Sequence, residues 1–270
     1  MPITASDAQT IARDILAWRH SRTRRQPLTA LARDDLDGAY AVQDALLPLL
    51  TADGGGEIVG YKIALTSAAM QRMVNVGHPL GGAVLAGVVH HSPAEVSLAT
   101  FVNLGLECEV AVRLGVDLPA DGAPYSRASV AARVDAVAPA YELVEDGGID
   151  YDRIDAVTLI ADNCWNGGVV LGEWVRGDAD RWLDPAFAAA PTTLAMNGER
   201  VSEGKVGDAM GHPLEAVAWV ANLLAGRGRT MRAGMLVMTG SSVRTAFPRA
   251  GDRARFDVAG LGGVDLSVVG

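Results

Sequence analysis

The stretch that most constrains the fold is 104–114, LGLECEVAVRL, because every second side chain is apolar and charged side chains lie among the others. A period of two is typical of a β-strand with one face turned to the core. The apolar face comprises Leu104, Leu106, Cys108, Val110, Val112 and Leu114. The other face carries Glu107, Glu109 and Arg113, and two carboxylates one pleat apart repel each other unless water, the arginine or a bound cation compensates. The stretch therefore predicts either a half-buried strand with a solvated acidic face or part of a cation site.

The composition predicts a folded, soluble, acidic protein with a sizeable core. The chain has 270 residues, 49% of them hydrophobic, which allows one large domain or a small N-terminal unit on a main one. A formal net charge of −9 argues against nucleic acid and anionic membranes as partners. The N-terminus lacks the uninterrupted apolar run of a signal peptide, so none is expected. No apolar stretch is long enough to span a bilayer. Cys108 and Cys164 have no CxxC or histidine-rich spacing, so we expect a reducing, cytoplasmic setting.

The first part of the chain has helical spacing. A capping box of Ser6 and Gln9 predicts the start of one helix, and a second is expected over about 36–50. The glycines at 54–56 lack the spacing of a nucleotide-binding loop and predict an ordinary loop.

Beyond this loop the pattern alternates between short strands and helices. Helices are predicted from a cap at Thr66 to Met73, over 126–136, and after His212-Pro213. The dipeptide Asn197-Gly198 predicts a hairpin. The predicted strands include 57–66, 104–114, 137–145, 235–240, 253–260 and 264–269.

Two charged side chains lie among apolar neighbours in predicted strands, where a charge is costly. Lys62 is either a lysine that extends to the surface or a partly buried ammonium that faces an anionic ligand. Glu142 shares a strand face with small apolar residues, so it must be paired, protonated or bound to metal. With Glu107 and Glu109 it makes three carboxylates without a matching histidine cluster. Such a set suits magnesium or manganese before zinc.

Other polar side chains have two interpretations each. Asp162, Asn163 and Asn166 precede an apolar run, where Asx side chains form turns as readily as they bind ligands. Ser241 lies in the segment TGSS, which is not the GxSxG elbow of a serine nucleophile. The adjacent histidines at 90–91 would face opposite ways on a strand, so we expect both at the surface.

Several segments occur in an order that resembles a known family. They are GYKIALTS, LGLECEVAVRL, PAYEL, ADNCWNGGVVLG, GHPLEAVAWVANLL, and RAGMLVMTGS with its later AGD. Together they resemble the hydratase/decarboxylase branch of the fumarylacetoacetate hydrolase superfamily. The match runs from about Ala39 to the C-terminus, and the ordered set is specific for the family but not for one member.

The resemblance implies an α+β fold with a mostly antiparallel β roll or sandwich flanked by helices. It implies a helical N-terminal region at 1–56 and a metal-binding catalytic domain at 57–270. By this resemblance, Glu107, Glu109 and Glu142 bind Mg²⁺ or Mn²⁺. Lys62 would pair with the substrate or, if its pKa is lowered, shuttle protons. The expected substrate is a small 2-hydroxydienoate or 2-oxoenoate acid of the kind formed by meta-cleavage of aromatic rings. We also expect a homo-oligomer and a partner enzyme of the same pathway.

The chain departs from the family pattern at three positions. Ala64 replaces a usual glycine, the segment 145–147 replaces an Asp-Ser-Arg that would bind a second substrate carboxylate, and Leu80 replaces an acid found in hydratases. An apolar residue at this last position is typical of decarboxylases, whereas the missing arginine argues against a dicarboxylic substrate. We therefore predict a hydratase first, a 4-oxalocrotonate-type decarboxylase second, and an acylpyruvate hydrolase or inactive partner subunit after these. The candidate substrate-binding residues are Leu80, Asp162, Asn163 and Ser241.

Overall fold

The computed structural model describes residues 3–270, which form two β-sheets with helices packed around them. The helices are α1 (Ala5–Ser21), α2 (Leu36–Leu50), α3 (Ala68–Met73), α4 (Arg127–Ala131), α5 (Ala156–Ala161), α6 (Ala179–Leu183), α7 (Pro185–Ala189) and α8 (Pro213–Gly226). The strands are β1 (Ile58–Ala64), β2 (Leu80–Leu85), β3 (Val89–His91), β4 (Ala94–Ser97), β5 (Leu104–Leu114), β6 (Val134–Glu145), β7 (Asn166–Leu171), β8 (Val175–Arg176), β9 (Pro191–Met196), β10 (Glu199–Lys205), β11 (Leu236–Met238), β12 (Arg253–Val258) and β13 (Gly262–Val269).

The two sheets are mixed, with mostly antiparallel neighbours. The first has the order β2-β1-β11-β5-β6-β7-β3, with β8 on β6, and the second has the order β10-β9-β12-β13-β4. The resemblance predicted this antiparallel majority, but β1 with β11, β3 with β7, and β4 with β13 are parallel pairs. Parallel neighbours require a crossover connection. Each of these three pairs joins strands that are far apart in sequence, which leaves room for one.

The apolar face of β5 packs toward the second sheet, as its alternation predicted. Val112 of β5 and Tyr141 of β6 share one buried cluster with Phe256 and Leu266 of the second sheet. The rings of Tyr141 and Phe256 lie 6.2 Å apart between centroids. Val217 of α8 belongs to the same cluster, so this helix closes another side of the core. The face of β5 that carries the glutamates consequently points away from the second sheet.

The helical N-terminal part packs on the rest of the chain through an apolar cluster. Ile15 of α1 and Leu46 of α2 are fully buried in this cluster, together with Leu85 of β2 and Ala161 of α5. This contact brings α1 close to the end of α5, which matters for the site described below. Among residues 3–270, no helix combines the length and apolar character that crossing a membrane requires.

The structure corrects the predicted start of two helices. Thr4, and not Ser6, caps α1 by accepting a hydrogen bond from the amide of Asp7. Ser67, and not Thr66, caps α3 by accepting one from the amide of Met70. In both cases neighbouring hydroxyl residues are chemically equivalent caps, so local sequence does not distinguish between them.

The helix predicted over 126–136 is also shorter than expected. α4 ends at Ala131, and β6 already begins at Val134, which pairs with Leu114 of β5. Helix propensity favours the alanines here, but pairing with β5 buries Val134 and Ala136 on a sheet, and tertiary packing overrides propensity. α2, the hairpin at Asn197-Gly198 and the start of α8 agree with the prediction.

Candidate active site

Three carboxylates meet where β5 and β6 lie side by side. Glu107 and Glu109 project from the same face of β5, and the antiparallel register places Glu142 of β6 directly opposite Glu107. One carboxylate oxygen from each of the three lies within 4.8 Å of the others. Strand pairing thus brings together acids that are more than thirty residues apart in sequence.

Each carboxylate is held through one of its oxygens. The amide of Gly240 donates to Oε2 of Glu109 at 2.7 Å, Nδ2 of Asn166 donates to Oε1 of Glu142 at 3.0 Å, and Oγ1 of Thr245 donates to Oε1 of Glu107 at 3.0 Å. These contacts fix the orientation of the three side chains. They leave a second oxygen of each carboxylate for another ligand.

Two of the second oxygens are buried without a hydrogen-bond partner among the described residues. They are Oε1 of Glu109 and Oε2 of Glu142, and both side chains are fully buried. A buried polar atom without a partner costs free energy, and a buried charge costs more. The solvated acidic face that the sequence permitted is therefore excluded. A cluster of oxygens with no histidine fits a hard divalent cation such as Mg²⁺.

The electrostatics of the three carboxylates favour a bound cation. Burial raises the pKa of Glu109 well above its usual range, and the charges of Glu142 and Glu107 raise it further. Burial also raises the pKa of Glu142 to about 7, although the neighbouring Lys62 opposes this effect. A bound divalent cation stabilises the ionised form of such carboxylates.

Lys62 of β1 is buried beside this cluster. Its Nζ lies 3.1 Å from Oε1 of Glu142 and donates to the carbonyl of Cys164, also at 3.1 Å. Burial alone lowers the pKa of Lys62, but the charge of Glu142 and the other nearby acidic groups outweigh it, so the pKa of Lys62 is raised. The nearby carboxylates therefore favour the charged form of Lys62, and its role in proton transfer stays a prediction. The structure excludes a lysine that extends to the surface, and the anionic ligand of the second interpretation stays a prediction.

The turn that holds Lys62 has an unusual backbone. Asn163, Cys164 and Trp165 all have a left-handed conformation, with φ of 52°, 48° and 58°. Each such residue other than glycine costs about 1–2 kcal/mol, so surrounding contacts must stabilise the turn. The side chain of Asn163 supplies two of them: its Oδ1 accepts from the amide of Ala83 at 2.7 Å, and its Nδ2 donates to the carbonyl of Ala83 at 2.8 Å.

A cavity of about 710 Å³ opens beside Lys62 and Glu107. Much of its wall is apolar and is formed by Leu65, Met70, Met73, Val144, Ile154, Leu159, Trp165 and Phe247. Near the exposed edge lie the carboxylates of Glu203 and Asp208 and the side chain of Arg244. The cavity therefore has a charged end beside the glutamates and a large apolar wall, which is the arrangement of a small-molecule site.

Three of the four predicted substrate-binding residues lie outside this cavity, and Asp162 and Asn163 are two of them. Asp162 is buried and forms ion pairs with Arg19 and Arg25, which commits its carboxylate to a structural contact. Asn163 uses its amide group on Ala83, as described above. Asn166, which the sequence singled out without assigning a role, is the residue of this segment that contacts a metal-site glutamate.

Leu80 is the third predicted residue outside the cavity, and Ser241 is the one that lines it. Leu80 is fully buried in an apolar cluster with Leu159 and Trp165, behind the cavity wall, so it does not reach the cavity. Ser241 lines the cavity, but its hydroxyl accepts from the amide of Cys108 and donates to the carbonyl of Val243. The sequence prediction missed the contacts of Gly240, Thr245 and the Cys164 carbonyl. The first and third are backbone groups, whose contacts no side-chain pattern reveals.

The fold and the site define a class of protein that holds a buried carboxylate triad and a lysine beside a small-molecule cavity. The sequence model described as fumarylacetoacetate (FAA) hydrolase C-terminal matches residues 78–269. The chain belongs to the fumarylacetoacetate hydrolase family.

Individual relatives refine this assignment. The chain is 33% identical to a 2-hydroxyhexa-2,4-dienoate hydratase of Comamonas testosteroni, with 84% of each chain covered. It is 32% identical to a 2-keto-4-pentenoate hydratase of Paraburkholderia phymatum over 97% of this chain and 98% of the relative. Among solved structures, it is similar to 4-oxalocrotonate decarboxylase from Pseudomonas putida G7 complexed with magnesium and adipate. That comparison has a TM-score of 0.89, 25% identity and 99% coverage of both chains.

Proposed function

We propose that this chain is a divalent-metal-dependent hydro-lyase that converts a 2-hydroxydienoate into a 4-hydroxy-2-oxo acid by adding water. The observation that carries the proposal is the meeting of three carboxylates and Lys62 at one end of a cavity. Relatives named as hydratases cover most of the chain and support the same reaction. Hydratases and decarboxylases are both lyases, and the chain is a lyase. The proposed ion is Mg²⁺, with Mn²⁺ as the alternative, because the ligand set contains only oxygen.

The residues of the site have distinct parts in this proposal. Glu107, Glu109 and Glu142 would hold the divalent cation, which would supply positive charge that stabilises negative charge developing on the substrate. Lys62 has three N–H donors and uses two of them on Cys164 and Glu142. The third donor is left for a substrate oxygen. Because Lys62 is charged, it orients the substrate and stabilises its anionic form.

The reaction needs a carbon chain held beside water. In 2-hydroxypenta-2,4-dienoate, the proton of the 2-hydroxyl is transferred to the terminal carbon C5, which leaves a double bond between C3 and C4. Water then adds its hydroxyl to C4 and its proton to C3. Val144, Ile154 and Leu159 form an apolar wall on which this part of the substrate can lie. The exposed edge of the cavity admits the water.

Decarboxylation is the second candidate, and the similarity in shape to the 4-oxalocrotonate decarboxylase favours it. A dicarboxylic substrate needs a second cation, and Arg244 is the cationic residue on the cavity wall besides Lys62. Arg244 is exposed, whereas much of the rest of the cavity wall is apolar. Transfer of a carboxylate onto an apolar wall is costly, so an uncharged tail fits better. Leu80 does not distinguish hydration from decarboxylation, because its side chain lies behind the cavity wall.

The test compares two substrates in the presence of Mg²⁺. We expect 2-hydroxypenta-2,4-dienoate to lose its ultraviolet absorbance and give 4-hydroxy-2-oxopentanoate, detected by mass spectrometry. The dicarboxylic 4-oxalocrotonate serves as the comparison, with carbon dioxide release measured in parallel. Rapid carbon dioxide release without turnover of the dienoate would reverse the order of the two functions. A chelator should abolish either activity.

We also propose that the protein works as a homo-oligomer in the cytoplasm, as the family resemblance implies. Light scattering on the purified protein measures the mass directly, and a monomer at micromolar concentration would contradict this proposal. Co-purification would test association with an enzyme of the same pathway.

A further inference from the structure

The N-terminal region reaches the active site through an acid between two arginines. Nε of Arg19 in α1 donates to Oδ1 of Asp162 at 2.7 Å, and Nη2 of Arg19 donates to the Asp162 carbonyl at 3.1 Å. Arg25, in the loop after α1, donates to Oδ2 of the same carboxylate and to the carbonyl of Glu145 at 3.3 Å. Asp162 and Arg25 are almost fully buried. This Arg19–Asp162–Arg25 group is called the brace below.

The brace holds the residue at which the left-handed turn begins. Asp162 directly precedes Asn163, and its carbonyl accepts a hydrogen bond from the amide of Trp165 at 3.0 Å, which closes the turn. The same carbonyl accepts from Arg19. Arg19 and Arg25 of the N-terminal region therefore hold both the side chain and the backbone carbonyl of Asp162.

The left-handed turn and the residue that follows it contact two residues of the site. The Cys164 carbonyl accepts from Nζ of Lys62, and the side chain of Asn166 donates to Glu142. A left-handed run of three residues that are not glycine persists only where its surroundings enforce it. Release of Asp162 would let this run relax, and the Cys164 carbonyl would then move away from Lys62.

We propose that Arg19, Arg25 and Asp162 are positioning residues for the reaction, which act by holding the left-handed turn that orients Lys62. The inference rests on the proposed function for its kinetic consequence, but its structural part does not depend on the substrate. Arg19 and Arg25 lie before the residues matched by the family model, 78–269. The N-terminal helical region thereby contributes to the active site although none of these three side chains lines the main cavity.

The test uses Asp162→Asn, which keeps the size of the side chain and removes its charge. Asp44→Asn is the matched control, because Asp44 also pairs with two arginines, Arg227 and Arg229, outside the active site. Amide hydrogen exchange of the peptide 162–166 is measured for both variants without substrate. We expect exchange in this peptide to be at least about tenfold faster in Asp162→Asn and unchanged in Asp44→Asn.

The kinetic readout separates positioning from loss of folded protein. We expect kcat of Asp162→Asn on the dienoate to fall by about 10- to 100-fold, because small misplacements of a reacting group have effects of this size. Binding of oxalate in the presence of Mg²⁺ should fall by a smaller factor than kcat, since Glu107 and Glu109 are anchored outside the turn and only Glu142 contacts it, through Asn166. Asp44→Asn should retain the kcat of the wild type.

Arg19→Gln provides a second variant if Asp162→Asn does not fold, because Arg19 is partly exposed and Arg25 still pairs with Asp162. The expected changes are in the same direction and smaller. Exchange in 162–166 that is unchanged in the variant would overturn the inference. So would a loosened turn with unchanged kcat. If the wild type does not convert the dienoate at all, the proposed function fails, and hydrogen exchange alone then decides whether the brace holds the turn.

Discussion

Glu142 provides a quantitative test of the carboxylate cluster through the pH dependence of stability. Its pKa is raised by burial from the ordinary 4.5 to about 7 in the folded protein without metal. The folded state therefore binds a proton that the unfolded state releases between these two values. The stability that this proton contributes is fully present below pH 4.5 and is lost as the pH rises through 7.

The magnitude follows from the two pKa values. A difference of one pKa unit corresponds to about 1.4 kcal/mol, so a change from 4.5 to about 7 corresponds to about 3 kcal/mol. Glu142→Gln removes this titration. We therefore expect the free energy of unfolding of the wild type, relative to Glu142→Gln, to fall by about 3 kcal/mol between pH 4.5 and pH 8.

The assay is urea denaturation in the presence of a chelator, followed by circular dichroism at half-unit pH steps. The difference between the two proteins cancels groups that titrate equally in both. Mg²⁺ should then stabilise the wild type more at pH 8 than at pH 5, because the ion competes with the proton for Glu142. Parallel stability curves for the two proteins over pH 5–7 would refute the reasoning, since Glu142 would then titrate like an exposed acid.

Three further predictions test other parts of the site. Glu109→Gln should keep the hydrogen bond from Gly240 but weaken Mg²⁺ binding by more than about tenfold, measured by calorimetry with oxalate; wild-type affinity would remove Glu109 from the metal site. Lys62→Met should lower kcat by about two to three decades, the range for a lost electrostatic donor, while Mg²⁺ and oxalate still bind, and normal turnover would exclude a role for the lysine. A dienoate with an apolar substituent at its far end should have a kcat/KM at least about tenfold above that of its carboxylate analogue. Met73→Lys should reduce this preference, and an opposite preference in the wild type would point to Arg244 as a carboxylate-binding residue.

The sequence by itself was sufficient for much of the fold and for singling out the three carboxylates and the lysine that the structure brings together. The alternation in 104–114 predicted a strand with the glutamates on one face, and the structure places β5 at the same residues. Lys62 and Glu142 stood out because a charge among apolar neighbours is costly wherever it lies. α2 and the hairpin at Asn197-Gly198 were also predicted correctly, because their sequence signals are local and need no knowledge of distant residues.

Other features of the site were decided only by the tertiary structure, because they depend on which distant segments of the chain meet. The positions of Asp162 and Leu80 illustrate this, because both looked like site residues and both face other partners, the arginines of the N-terminal region and an apolar cluster. The direction of the Lys62 pKa is also a tertiary property, since burial and three carboxylates have opposite effects and only their distances determine the sum. Periodicity reports the face on which a side chain lies and the cost of burying it. The partner that offsets this cost is selected by strand register and by the docking of α1, which act between residues far apart in the chain.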